Sequence, residues 1–304
     1  FIKNFFSNFI NKILEKKNFV IIFRNGSAIG DHVYMSSILR EIFLNHKKKI
    51  ILFTNYYEFY LFNPRIHKLF KMKKKSPIWF FLRNLMGNSI LEFRSVHDSK
   101  NEKHFLYYHK KNIHLAHANS EHFPLDLKYD DIKNEIFFSK NEINEFQLTL
   151  NLPTNFSLIH STSKKSFTKN KEWSVEGMQS IVNYFDKIKW IQIGKKGEPE
   201  LKNCKKMFDL NYRKLCYVIS KCNFLVTYEG LFNHLASCFD KKNFIIHLGF
   251  LPIESFKYRN NIIIEKNNHL KCYPCYKLNC GLHQDFAKSQ INKNFVINSI
   301  EDQI

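Results

Sequence analysis

Short apolar runs alternate with segments of helical period along most of the chain. Asn18 to Phe23 is one such run, and it breaks into the turn Arg24-Asn25-Gly26-Ser27-Ala28-Ile29-Gly30. From Asp31 a helical pattern opens, with Met35, Ile38, Leu39, Ile42 and Phe43 on one face, before a second apolar run from Lys49 to Phe53. Strand, glycine-rich turn, helix, strand is the start of a doubly wound α/β domain, where ligands bind beyond the carboxyl ends of the strands. Tyr56 to Phe62 and Ile78 to Met86 read as helices, Ser89 to Phe93 as a strand, and His97 to Ser120 as loop with short strands. Asn141 to Leu150 reads as a helix, and Asn151 to Asn155 as a linker.

The same grammar then restarts. Strands are expected at Phe156–His160, Lys189–Ile193 (ending at Gly194), Phe224–Thr227, Asn243–Leu248 and Asn261–Glu265. Helices are expected at Trp173–Phe185, led by a Ser174 cap, and at Tyr212–Cys222 and Leu231–Phe239. This alternation predicts an α/β chain of two Rossmann-like domains, 1–150 and 151–304, each built on a parallel sheet and facing the other across a cleft. The last helix is a candidate to pack back on the first domain.

Composition narrows the function classes. A chain of 304 residues with 44% hydrophobic residues can bury two cores. It carries no apolar run near the roughly 18 residues that span a bilayer. Residues 1–17 lack a small-residue cleavage site and are not read as a secretory signal. As a helix they set Phe5, Phe6, Phe9, Ile10, Ile13 and Leu14 against Lys3, Lys12, Lys16 and Lys17. That pattern suits either a membrane surface or packing on the first domain. The expected location is cytoplasmic, with peripheral contact at the inner membrane surface.

The net charge of +20 has two readings. One is an acidic partner, best a phosphate-bearing substrate; the other is the lysine-rich composition of an AT-rich genome, with runs such as Lys47–Lys49 as solvated faces. Aromatic and basic residues interleave at 56–83 but form no recognised nucleic-acid-binding module, so nucleic acid is not an expected partner. The seven cysteines are scattered, and a reduced compartment is the default.

Several segments together resemble glycosyltransferase family 9, the ADP-heptose:lipopolysaccharide heptosyltransferases. The turn Arg24 to Asp31 is similar to the family's Gly-(Ala/Ser)-(Ile/Met)-Gly-Asp start, and Leu39-Arg40 and Asn63-Pro64-Arg65-Ile66 resemble its next stretches. Ile159-His160-Ser161-Thr162 with Lys171-Glu172-Trp173 resembles its strand, polar loop and Lys-x-Trp. Gly194 with Glu198 is similar to Gly-x-x-x-Glu, and Glu229-Gly230-Leu231-Phe232-Asn233-His234-Leu235-Ala236 to Asp-x-Gly-x-x-His-Leu-x-Ala. Cys272-Tyr273-Pro274-Cys275 and Cys280 resemble its Cys-x-Pro-Cys tail. The resemblance runs in order from residue 19 to about 300. It implies the GT-B architecture and transfer of a sugar from a nucleotide diphosphate.

Under that resemblance Asp31 is the candidate base for the acceptor hydroxyl, with a helix cap as the alternative reading. The backbone of Gly26, Ser27 and Gly30 could hold a phosphate or acceptor group. Lys171 is the candidate clamp on the leaving diphosphate, aided by the hydroxyls of Ser161, Thr162 and Ser163. Glu198 suits a pair of ribose hydroxyls, since a carboxylate can accept two hydrogen bonds. Gly230 lets backbone approach a phosphate, and His234 is placed to orient the donor. Glu229 stands where the family carries Asp, which puts the identity of the sugar in question more than the reaction class. Cys272, Cys275, Cys280 and His283 have metal-ligand chemistry, but buried or loop thiols are the preferred reading and transfer is expected without a catalytic metal or other cofactor. The expected partners are a nucleotide-sugar donor, ADP-heptose or another nucleotide diphosphate sugar, and an anionic glycan or glycolipid acceptor. Rival readings are another donor or a protein acceptor on the same fold, and a non-catalytic nucleotide-sugar-binding paralogue.

Overall fold

A computed structural model describes residues 12–13, 16–26, 28–72, 77, 80, 90–92, 113–121, 123, 125–128, 131–163, 168–266, 271–277, 280–282 and 290–304. The chain divides into two compact units, with the change after Lys140. In the first, β1 (Phe19–Arg24) leads through the glycine turn to α1 (Ile29–His46), then β2 (Lys49–Thr54), β3 (Ile66–Lys71) and β4 (Ile90–Glu92). All pairings are parallel, in the order β3-β2-β1-β4. β1 is buried along its length, as its unbroken Val-Ile-Ile-Phe run requires in a covered parallel sheet.

The expected helix at Tyr56 to Phe62 is a single 3₁₀ turn, Tyr57–Tyr60. Within His97 to Ser120, read as loop and strands, Leu115–Ser120 forms α2, whose start is capped by His114 accepting from the Ala116 amide. Six residues are too few for helical periodicity to show. This helix packs on α1, whose buried residues run from Asp31 to Leu39 without a polar face. Ser36 and Ser37 are tolerated there because their hydroxyls donate to the Val33 and Tyr34 carbonyls. Residues 1–11, the helix expected at 78–86 apart from Phe80, and all of 93–112 lie outside the described residues.

The second unit opens with α3 (Lys140–Thr149), held by a bidentate pair between Glu142 and Arg213. It continues with β5 (Phe156–Ile159), α4 (Val175–Tyr184), β6 (Lys189–Gly194), β7 (Lys205–Phe208), α5 (Tyr212–Lys221) and β8 (Phe224–Thr227). α6 (Leu231–Ser237), β9 (Lys242–Ile246), β10 (Asn261–Ile264) and α7 (Lys293–Glu301) complete it. The six strands are parallel in the order β10-β9-β8-β5-β6-β7. α7 packs on α4, its Val296, Ile297 and Ile300 joining the core formed by Met178, Ile181 and Trp190. The last helix thus contributes to the second unit's core.

These sheet orders decide where chemistry can sit. In the first sheet the chain winds one way through β1, β2 and β3, then crosses to the other side for β4, so the order reverses between β1 and β4. In the second, β5, β6 and β7 run one way and β8, β9 and β10 the other, so the order reverses between β5 and β8. At a reversal the connections leave in opposite directions and open a crevice at the carboxyl ends of the two strands. The glycine turn follows β1; His160 to Ser163 follow β5, and Tyr228 to Gly230 follow β8.

Candidate functional site

In the first unit, Asp31 lies in the first turn of α1, 4% exposed, and the buried Arg24 at the end of β1 donates to its Oδ2 at 2.8 Å. That bond fixes the direction of the carboxylate. Gly26 lies against the same guanidinium: a Cβ there would stand 3.3 Å from the Arg24 Cζ. Asn55 brackets Gly26, accepting from its amide at 3.2 Å and donating to its carbonyl at 3.0 Å. His32 adds a third tie through a directed chain: the Tyr56 amide donates to Thr54 Oγ1, Thr54 to His32 Nδ1, and His32 Nε2 to the Gly26 carbonyl. Burial, reinforced by Arg24, pushes the His32 pKa down to about 3 against the opposing Gly26 bond and Asp31, so the ring is neutral and can serve as donor and acceptor at once. Gly30 stands one residue before Asp31 in α1; Ser27 lies outside the described residues. Arg24, His32 and Asn55 escaped the sequence reading, although Arg24 and Asn55 sit where β1 and β2 end.

In the second unit the residues named from sequence gather along one rim of the sheet. Lys171 Nζ lies 3.0 Å from Glu229 Oε1, an ion pair that lacks hydrogen-bond angles, and sits 4.8 Å over the Phe250 ring. His247, just beyond β9, places Nε2 3.6 Å from the other Glu229 oxygen. Burial depresses the His247 pKa; Glu229 and Glu265 oppose this while Lys171 adds to it, and the ring is neutral at pH 7. His247 was hidden in an apolar strand run, but its place at the carboxyl end of that strand was a usable signal.

Across the reversal, His160 packs its ring 4.2 Å from Phe232 of α6 and places Nε2 3.6 Å from Glu198 Oε2. Burial works against the Glu198 carboxylate, yet His160, the Lys195 amide and Thr162 outweigh it and hold the carboxyl below its usual range. Gly194 makes the approach possible, since a Cβ there would come 2.3 Å from Glu198 Oε2. Ser161 accepts from Gln192 at 3.1 Å, and Ser163 is tied to Glu172 through both its amide and its hydroxyl. These two hydroxyls thus shape the loop after β5. Gly230 has φ 140° and open space where a side chain would project, and His234 Nδ1 lies 2.7 Å from the Tyr258 hydroxyl, which fixes its ring.

Cys272, Cys275 and Cys280 lie together, their Sγ atoms all within 4.8 Å, and all are unbridged. Burial raises the Cys272 pKa and pushes Cys275 up to about 12. His283 lies outside the described residues.

Neither a protein-family profile nor a curated protein matches the sequence. Solved structures do match over nearly the whole chain. A glycosyl transferase family 9 protein from Veillonella parvula is 14% identical with a TM-score of 0.65, covering 94% of this chain and 96% of its own. Both parallel sheets find their counterparts there. The fold is that of family 9 glycosyltransferases. Escherichia coli ADP-heptose lipopolysaccharide heptosyltransferase II is 12% identical with a TM-score of 0.60, over 93% of this chain and 98% of its own. The iron-containing dodecameric heptosyltransferase TibC, solved with ADP-D-β-D-heptose, is 11% identical with a TM-score of 0.66, over 94% and 76%. This GT-B type of fold, with its two Rossmann-like sheets, is the architecture expected from the sequence.

Proposed function

We propose that this chain is an inverting glycosyltransferase that moves a sugar, a heptose, from a nucleotide diphosphate, ADP-heptose, to a lipopolysaccharide or other surface-glycan acceptor. The observation that carries the reading is the rim of the second sheet. Lys171, Glu198 and the Glu229-Gly230 pair come from three separate segments yet lie at the strand ends beside the β5–β8 reversal. A cation, two carboxylates and a glycine backbone with open space beside it are groups suited to a nucleotide diphosphate sugar. Lys171 meets the diphosphate, Glu198 accepts from the ribose hydroxyls, and Glu229 meets the sugar.

In the first unit Asp31 accepts the proton of the acceptor hydroxyl while the hydroxyl oxygen attacks the anomeric carbon opposite the leaving group. The bond from that carbon to the phosphate oxygen breaks, and the nucleotide diphosphate departs with its charge met by Lys171. The configuration inverts, and no metal ion takes part in the chemical step. Residues 1–17 contact the membrane surface from the cytoplasmic side, near a lipid-linked acceptor.

The test is thermal stabilisation by ADP, UDP, GDP and CMP, in the parent and in Lys171→Met, followed by transfer from ADP-heptose in the parent and Asp31→Asn. A ligand bound only by the folded state raises stability as RT ln(1 + [L]/Kd), about 2.7 kcal/mol at a hundredfold excess over Kd. Stabilisation by ADP alone, lost in Lys171→Met, is the expected result. Preference for another nucleotide replaces the heptose donor, no response to any nucleotide overturns the reading, and full transfer by Asp31→Asn overturns the base.

A further inference from the structure

The ammonium assigned to the diphosphate already has an anion beside it. Lys171 Nζ lies 3.0 Å from Glu229 Oε1, and both side chains are nearly buried. The backbone around the lysine is held from either side. Asn170 donates to the Lys277 carbonyl at 2.7 Å, and the Trp173 indole donates to the Ile291 carbonyl at 2.6 Å. An exchange of partners at Lys171 therefore takes place at the ammonium, with the main chain fixed. The Phe250 ring, 4.8 Å from Nζ, supports that charge whichever anion faces it.

Glu229 is less well provided for. Neither of its oxygens accepts a hydrogen bond from the described residues. His247 Nε2 stands 3.6 Å from Oε2, but burial keeps that ring neutral, packed 5.0 Å from the ring of Phe256 and 6.3 Å from that of Tyr273. Among the described residues, Lys171 is thus the one permanent cation in ion-pair reach of this carboxylate. A buried carboxylate that loses its cation is left uncompensated. Next in sequence, Gly230 leaves open space where a side chain would project, room for a ligand group beside this segment.

Two ligands that both bring a diphosphate to Lys171 are separated by this arrangement. A free nucleotide diphosphate draws Lys171 from Glu229 and returns nothing to the carboxylate, while its terminal phosphate adds negative charge nearby. A nucleotide diphosphate sugar carries less charge and presents sugar hydroxyls, which donate to the Glu229 oxygens.

We propose that Glu229 is a specificity-determining residue that competes for Lys171 against free nucleotide diphosphate and yields to one still carrying its sugar. The pair acts as a repulsive element against the spent donor, and Glu229 recaptures Lys171 as that product leaves. No covalent bond changes; only ion-pair partners are exchanged. This competition rests on the donor reading above, in which Glu229 meets the sugar.

The test is calorimetric binding of ADP and of ADP-heptose to the full chain, in the parent, Glu229→Gln and Glu265→Gln. The last variant removes another carboxylate near His247. The parent should bind ADP-heptose about tenfold or more tighter than ADP. Glu229→Gln should bind ADP about tenfold tighter than the parent does, and ADP-heptose no tighter, while Glu265→Gln keeps the parent's ratio. Equal affinity of the parent for the two ligands overturns the proposal, and that comparison needs no variant to fold. So does unchanged ADP affinity in Glu229→Gln, or the same gain in Glu265→Gln, which would make the effect one of overall charge. A parent that binds neither ligand overturns the donor reading itself, and the competition falls with it.

Discussion

At the scale of single residues, Lys171 and Glu229 carry opposite charges in a place where their side chains are only 13% and 3% exposed. Withdrawing both from water is costly, and removing one partner leaves the other charge buried without compensation. Breaking such a pair costs about 3–5 kcal/mol, whereas replacing both members can be nearly neutral. Lys171→Met should therefore be strongly destabilising, and Lys171→Met with Glu229→Gln should recover much of the loss in urea unfolding. If the two single effects simply add, the charges are not coupled.

His32 makes a second residue-level prediction. Its pKa falls from 6.5 to about 3 on folding, chiefly through burial. Between those values the unfolded chain binds a proton that the native chain does not, so stability is present above pH 6.5 and is lost as pH falls towards 3. Near 1.4 kcal/mol per pH unit, this one group removes about 3 kcal/mol by pH 4.5. In urea unfolding at pH 7 and pH 4.5, His32→Gln should lose less stability on acidification than the parent. Equal losses would mean that His32 already titrates normally in the folded chain.

At the scale of elements, α4 shows how local sequence sets a boundary next to the site. Ser174 caps it by accepting from the Gly177 amide at 2.8 Å, as its position before an apolar period suggested. Gly177 is small for a reason outside the helix. A Cβ there would come 2.5 Å from the Trp173 ring, which is anchored by its indole donating to the Ile291 carbonyl at 2.6 Å. Gly177→Ala should improve helix propensity and still lose about 1–3 kcal/mol through overpacking, read as a lower melting temperature. The elements themselves were legible to different degrees. β5, β8 and β9 announced themselves because burial on both faces favours short, mainly apolar runs such as Phe224-Leu225-Val226 and Phe244-Ile245-Ile246. β7 did not: it is the outer strand of its sheet, and Lys205-Lys206-Met207-Phe208 begins with two exposed lysines. α7 was not placed in its own core by the sequence because amphipathicity states that a face is buried, and not what buries it.

At the scale of the whole molecule, the two reversals of strand order do most of the placing of the candidate residues. Asp31, Lys171, Glu198 and Glu229 could be named from short motifs, because each follows a readable strand or precedes a readable helix. Arg24 lies only seven residues before Asp31, whereas the pairing of His160 with Glu198, of His247 with Glu229 and of Asn55 with Gly26 emerges only once the strands are laid side by side, since packing across a sheet joins residues distant in sequence. Hydrogen exchange tests the arrangement directly. With ADP bound, protection should rise in residues 160–163, 171–173, 228–232 and 247–250 while the β1–β2 end of the first unit, including Gly26 and Asn55, is unaffected. Protection concentrated around Gly26 instead would place the nucleotide on the first unit.

Because all six strands of the second unit run in parallel, the candidate residues of that unit lie in segments that follow strands at one rim, and the opposite rim is composed of entry turns. Asn151 to Asn155 enters β5 and Asp240-Lys241 enters β9, with Asn155 and Asp240 both in left-handed backbone at φ 54° and 51°. These turns offer places for grafting. A fluorescent label or surface tether attached at Asp240-Lys241 would hold the domain by its inert side and present the chemical rim to solution, oriented alike in every copy.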